Sequence, residues 1–301
     1  VRSGARFEQA FNQSLSDEYF DALSAQKIMN NELYLTMIYR PVVMGKKFVE
    51  KSADVPRLQA EQDQAVAKLT ELAGNVEAVL KDYAPVRLGM YQSDTGGVFS
   101  ETLEFFGFVL NRISEPVPVL RAPVYDYLPV SRDMFSSKSG DFVVRTPDGQ
   151  NHFGAILNIK EYTDGTWPGI LNGLKYLDFE YVITHSFSPM GRQDALKVLD
   201  RTKGMMNSSG DKAVSQIAEL DHAMDQVASG NFVLGEYHFI LTLYAEDQQR
   251  LSQNIAVARA ELSNAGFVSA KEDLAVCSSF YSQLPGNWRY RTRLANVSSL
   301  N

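Results

Sequence analysis

Cysteine occurs once in these 301 residues, at Cys277, so no intrachain disulfide can form and nothing points to an oxidising compartment. Cytoplasm is the default expectation. Positive charge is also in short supply: 29 Lys and Arg against 36 Asp and Glu leave a net charge of −7. That balance argues against broad, direct nucleic-acid binding, which needs local cations to release condensed counterions. Long apolar runs are missing too. None approaches the roughly 20 residues of a spanning helix, and no basic, apolar, small-residue leader opens the chain. No transmembrane segment and no export signal are therefore expected. The chain opens at Val1 rather than Met, inside a helical pattern, which leads us to expect a segment of a longer product.

Common catalytic signatures are absent as well. A phosphate loop needs G-x-x-x-x-G-K-[ST], because the glycines let backbone amides approach the phosphates and the lysine neutralises them. Gly45-Lys46-Lys47 lacks the upstream glycine and the hydroxyl residue, and Gly96-Gly97 has no lysine. Neither G-x-G-x-x-G nor G-x-S-x-G occurs, so no dinucleotide fingerprint or nucleophile elbow is proposed. His152, His185, His222 and His238 are scattered, without a second ligand at metal-site spacing. Cys277 lies in an apolar helical run beside Leu274, Phe280 and Tyr281, where a thiol behaves as a small buried hydrophobe. Catalytic residues, cofactor-binding residues and metal ligands are all expected to be none.

What is present is a globular composition: 45% apolar residues, with 17 Phe and 14 Tyr, can fill a substantial interior. The length suggests two compact units. Phe11, Leu15, Tyr19 and Leu23 recur every fourth residue, predicting a first helix. Glu32 to Pro41 turns aromatic and β-branched and predicts a strand. Helices follow over 56–83, opened by Asp54 as N-cap, and around 99–113, separated by a short strand near 86–91. Prolines cluster from Pro116 to Pro129 and run into Ser136-Ser-Lys-Ser-Gly140, a composition that supports neither period. The expected organisation is a first α/β unit over 1–113, a Pro/Ser-rich linker over 114–140, and a second α/β unit over 141–301. Asp141 to Ile159 reads as a hairpin turned by Asp148-Gly149 in a primed turn. Strands are expected at 179–187 and 236–245. Helices through Val214, Ile217, Met224 and Val227, and through Leu251, Ile255 and Leu262, stop at Gly230 and Gly266. The fold class is thus mixed α/β (α+β), with two helix-covered sheet units. "ELYLTMIYRP", "EYVITHSFSP" and "EYHFILTLYA" look alike; a repeated strand-helix unit and chance similarity both account for that.

The stretch "FYSQLPGNWRYRTR" closes the second unit. Leu284-Pro285-Gly286-Asn287 fits a type II turn, with proline fixing φ at its second position and glycine taking positive φ at its third. If the residues after this turn are extended, Arg289, Arg291 and Arg293 share one face and Trp288 and Tyr290 the other. Three readings stay open: a solvated edge with the aromatics in the core, an arginine-rich docking surface, or a phosphate or nucleic-acid contact. Trp167, in "GTWPGILNGL", is either an interface anchor or packed on its own domain.

"FYSQLPGN" followed by Arg-x-Arg and "VSSLN" resembles the signature closing the N-terminal region of the VirB/TrbE/CagE-type ATPases of type IV secretion and conjugation systems. "NELYLTMIYRP", "AILNIKEYTDGTWPGILNGLKYLDFEYVITHSF" and "LSNAGF" occur in the same order as in that family, so the resemblance covers nearly the whole chain. It implies an N-terminal scaffold or docking region that precedes a RecA-like motor. ATP and Mg are expected in that motor, not in this segment, and no catalytic residue carries over. Gln283, Pro285, Gly286, Asn287, Arg289, Arg291 and Arg293 then read as a junction facing the motor or a neighbouring subunit. The resemblance further implies other inner-membrane secretion components as partners, self-association, and a cytoplasmic position peripheral to the bacterial inner membrane. A nucleic-acid-binding module and a small-molecule enzyme with an unrecognised site are the alternatives.

Overall fold

The computed structural model describes residues 10–24, 30–39, 55–94, 96–129, 133–163, 165–208 and 214–299. The chain divides into two compact units, Val1–Tyr34 and Leu35–Asn301. In the first, helix α1 (Ala10–Ser24) forms where the four-residue spacing predicts it, yet its stripe of Phe11, Leu15 and Tyr19 stands exposed. The predicted strand at 32–41 does not form over its described part. Residues 30–39 join no ladder, and Leu33 is 96% exposed. β-prone composition describes fitness for a pleated, half-buried surface, and this segment has no paired strand among the described residues. Asp54, the expected N-cap, and Pro41 lie outside the described residues.

The second unit opens with α2 (Val55–Val79) and a small antiparallel pair, β1 (Met90–Gln92) with β2 (Val98–Ser100). Helix α3 (Glu101–Asn111) follows, its N-cap Ser100 accepting the Leu103 amide at 3.3 Å. The proline-rich stretch 114–140 carries a short helix, α4 (Val124–Tyr127), and a strand, β3 (Asp133–Ser136). β3 pairs with β4 (Asp141–Arg145), which pairs in turn with β5 (Asn151–Glu161). The turn between β4 and β5 departs from the primed type: Gly149 takes φ 89° but Asp148 does not share the positive region. Pro147 holds its own φ negative and lengthens the loop, which the Thr146 amide closes onto the Gln150 carbonyl at 2.9 Å.

The chain then lays down β6 (Tyr181–Pro189), α5 (Arg192–Ser208), α6 (Val214–Ser229), β7 (Leu234–Ala245) and α7 (Gln248–Asn264). β8 (Val268–Lys271), α8 (Val276–Tyr281) and β9 (Ala295–Ser298) complete it. The class is mixed α/β, as expected, with sheets of two and seven strands among the described residues. The order of the large sheet is β3-β4-β5-β7-β6. Leu157 and Asn158 pair with both β7 and β8, so β8 lies on the β4 flank of β5; by the same logic β9 lies on the β5 flank of β7.

Alternation on β7 assigns the two faces. Phe239, Leu241 and Leu243 point to one side, beneath Leu251, Ala258 and Leu262 of α7. Ile240 and Tyr244 point to the other, beneath Leu110 of α3 and Val276 and Phe280 of α8. Each leucine so buried contributes about 1.5–3 kcal/mol. A smaller core joins α5 and α6 through Ala195, Leu199 and Val227. Of the three look-alike segments, two form strands followed by helices: β6 leading to α5 and β7 to α7.

Candidate functional site

The even-numbered face of β7 is apolar at Ile240 and Tyr244 but polar at Glu236, His238 and Thr242, and His238 and Thr242 are fully buried. Asn158 of β5, the register partner of Ile240, extends this polar strip. The closing segment lies on it. The Asn158 Nδ2 donates to the Thr292 hydroxyl at 2.8 Å, and Thr292 and Ser279 share a second hydroxyl bond at 2.9 Å. Arg291 is nearly closed off from solvent. Its Nη2 donates to Glu236 Oε2 at 2.9 Å and its Nη1 to Ser188 Oγ at 3.2 Å, while its guanidinium sits 5.0 Å from the centre of the Trp288 ring. Arg293, at φ 50°, pairs through Nε with the buried Glu272.

The turn takes the expected shape. Gly286 has φ 90° and the Asn287 amide donates to the Leu284 carbonyl at 3.2 Å, as a type II turn requires. Gln283 is buried and donates from Nε2 to the Phe280 carbonyl at 2.9 Å. Asn287 donates from Nδ2 to the Tyr281 carbonyl at 2.9 Å. Beyond the turn the expected extended alternation fails. Residues 288–290 coil into a 3-10 turn and Arg293 takes a left-handed conformation, so the arginines do not share a face. Arg289 is exposed to solvent, Arg291 points inward, and Arg293 reaches sideways to Glu272. Their partners, Glu236 and Glu272, are the residues the sequence reading missed. The signal for one of them was visible in "EYHFILTLYA", where the polar residues fall on one side of an alternating strand.

Electrostatics follow from this burial. The His238 ring is pushed down to about 4, first by desolvation, then by the Arg291 charge and by His185. Its two nitrogens meet no hydrogen-bond partner in the described protein. Arg112, the left-handed C-cap of α3, is a second buried cation. Burial lowers its pKa, Glu180 pairs with its Nη2, and its guanidinium lies 4.0 Å from the Tyr244 ring centre and 4.9 Å from that of Phe108.

Cys277 is exposed, contrary to expectation. Its helix has six residues and turns Val276 and Phe280, not the thiol, into the core. Trp167 is likewise exposed. Among the described residues no group of three His, Cys, Asp or Glu could hold a metal ion. Two shallow clefts measure about 170 and 210 Å³, below the roughly 300 Å³ of ordinary ligand sites. The first is lined by Asn111, Pro116, Pro118 and Tyr127; the second by Lys160, Tyr162 and Arg293. No described helix is long and apolar enough to cross a membrane. What the segment can do chemically is present a fixed turn, with Arg289, Tyr290 and Leu294 outward.

Residues 86–293 match the CagE, TrbE, VirB family, described as a component of type IV transporter system. The chain is 36% identical over 304 residues to type IV secretion system protein virB4 of Brucella abortus biovar 1, covering 98% of this chain and 36% of that protein. It is 35% identical over 305 residues to type IV secretion system protein PtlC of Bordetella pertussis, covering 99% and 36%. With virB4 of Bartonella henselae the identity is 30% over 302 residues, covering 99% and 38%. The chain thus spans little more than a third of the length of these relatives.

Proposed function

From the premise that this chain belongs to the CagE, TrbE, VirB family, we propose that it is the N-terminal scaffold and docking region of a type IV secretion ATPase. The whole protein would energise pilus assembly and the transfer of DNA or protein, in conjugation or protein transport. ATP and Mg would be held by a motor domain outside these residues. The region would sit in the cytoplasm against the inner membrane, contacting other inner-membrane secretion components, its own motor and further copies of itself.

The observation that carries this reading is the pairing of near-complete coverage of this chain with about a third of each relative, in a sequence without a phosphate loop. The closing segment supports it. A turn clamped by Arg291 to Glu236 and by Arg293 to Glu272 is a rigid mount for whatever it meets. The same clamps weigh against the nucleic-acid alternative, because two of its three arginines are already engaged with carboxylates.

The test is phosphate release from ATP and Mg by the purified chain. No release above buffer is expected. Release that co-elutes with the chain through successive columns would overturn the proposal.

A further inference from the structure

β5 and β9 occupy one flank of β7 in succession: Asn158 of β5 pairs with Ile240, and Ala295 of β9 pairs with Tyr237. Beyond Asn158 the described ladder of β5 is with β8 alone, so the sheet forks. A cleft of about 210 Å³ opens at the fork, lined by Ile159, Lys160 and Tyr162 on one side and by Arg293, Leu294 and Ala295 on the other. Two cationic side chains and one phenol line it. No carboxylate does.

Both cations owe their positions to breaks in regular backbone. The register of β5 with β8 shifts between Ile159 and Glu161 and leaves Lys160 outside the ladder, the kind of break that re-aims a side chain. Arg293 holds φ 50°, a region that side-chain-bearing residues enter at a cost. Its bond to Glu272 uses Nε alone and leaves its two Nη groups uncommitted among the described residues. Lys160 meets only its neighbour Glu161, at 3.4 Å with both side chains largely in solvent, a pair that yields readily to a better partner. The Tyr162 ring is held edge-on by Tyr237 and Phe267, and its hydroxyl is buried with no partner in the described protein. Burial pushes its pKa up to about 12, so the hydroxyl stays a donor. A buried donor left unmet is costly, and an acceptor in the cleft would meet it.

We propose that the fork is a site for a small tetrahedral oxyanion of the phosphate class, held by Lys160 Nζ, the Nη groups of Arg293 and the Tyr162 hydroxyl. Size supports the class: about 210 Å³ has room for such an anion but falls below the roughly 300 Å³ at which sites for larger ligands begin. Charge supports it too. Phosphate carries about 1.5 to 2 negative charges near neutral pH, which matches two cations, whereas a carboxylate brings one and has fewer acceptor oxygens. A bound anion would bridge β5 to the closing segment, a tie added to those from Arg291 to Glu236 and from Arg293 to Glu272. The site stands on its own residues, independently of the scaffold reading.

Isothermal titration calorimetry of the 301-residue chain with inorganic phosphate, at neutral pH and constant ionic strength, tests this. Saturable binding at one site per chain is expected, with a Kd of about 1 mM or below. Lys160→Gln and Tyr162→Phe should each weaken it at least about fivefold with an unchanged circular dichroism spectrum; should the buried Tyr162 variant misfold, the exposed Lys160 variant decides. Lys197→Gln, on α5 and outside the cleft, should leave binding as it is. Acetate should bind at least about tenfold more weakly than phosphate. No saturation by about 10 mM phosphate, native affinity in the Lys160 variant, or acetate binding as tightly as phosphate overturns the site. None of these results bears on ATP turnover, so the two proposals fail separately.

Discussion

Arg291 reaches Glu236 at 2.9 Å across 55 positions of sequence, and so fixes the segment behind the turn to a central strand. Arg291 is almost closed to solvent while Glu236 keeps 41% of its side-chain exposure, which makes the bond stronger than a surface pair and weaker than a fully buried one. Arg291→Ala should cost about 1–3 kcal/mol in urea unfolding. Glu236→Gln should cost less, and in a double-mutant cycle the two losses should not add.

The His238 ring dictates a pH dependence. Its folded pKa, about 4, lies below the unfolded value near 6.5, so at intermediate pH the unfolded chain binds a proton that the folded chain refuses. The stability it contributes is complete above about pH 6.5 and is lost as pH falls toward 4, by at most about 3 kcal/mol. Urea midpoints at pH 7, 6 and 5 should fall for the native chain, and His238→Leu should flatten that part of the slope.

Two glycines with positive φ should respond differently to alanine. At Gly140 a Cβ would come within 2.1 Å of the Glu272 carbonyl oxygen, a backbone atom with no easy retreat, whereas at Gly149 it would meet open space. Gly149→Ala should cost about 1 kcal/mol, for the conformation alone. Gly140→Ala should cost about 3 kcal/mol or more and should also disturb the Arg293 anchor on Glu272. Thermal denaturation compares them directly.

Arg112 is a buried cation whose Nε and Nη1 find no acceptor in the described protein. Arg112→Met fills much of the same space and removes the desolvated charge beside Tyr244, so it should change stability by less than about 1 kcal/mol. Arg112→Ala, which also empties the space, should cost about 2–4 kcal/mol. Equal losses in the two variants would count against this account.

Cys277 should react with a thiol reagent in the folded chain without prior unfolding, because its helix leaves it at the surface. A strongly protected thiol would contradict that placement.

Local signals were read correctly at several places where the chain decides its own conformation, the Asp148-Gly149 turn excepted. Glycines close α6 and α7, and Pro285-Gly286 makes its turn. Other failures trace to partners far away in sequence. Glu32 to Tyr39 has strand composition and no described neighbour to pair with. β8 and β9 have four residues each, too few to show a period. The arginines of the closing segment were legible as residues but not in direction, because Glu236 and Glu272 pull them different ways. Cys277 was misplaced because six residues of helix give too short a stripe to tell inside from outside.

The end of β9 is stapled to the start of β7: the Ser299 amide donates to the Val233 carbonyl at 2.8 Å, and the Val233 amide to the Ser299 hydroxyl at 3.1 Å. A tug applied at Ser299 would therefore travel into the middle of the sheet instead of peeling a rim. Because β9 runs antiparallel to β7, a pull along the strand would load its hydrogen bonds together, in shear, and the mount would hold until several of them gave way at once.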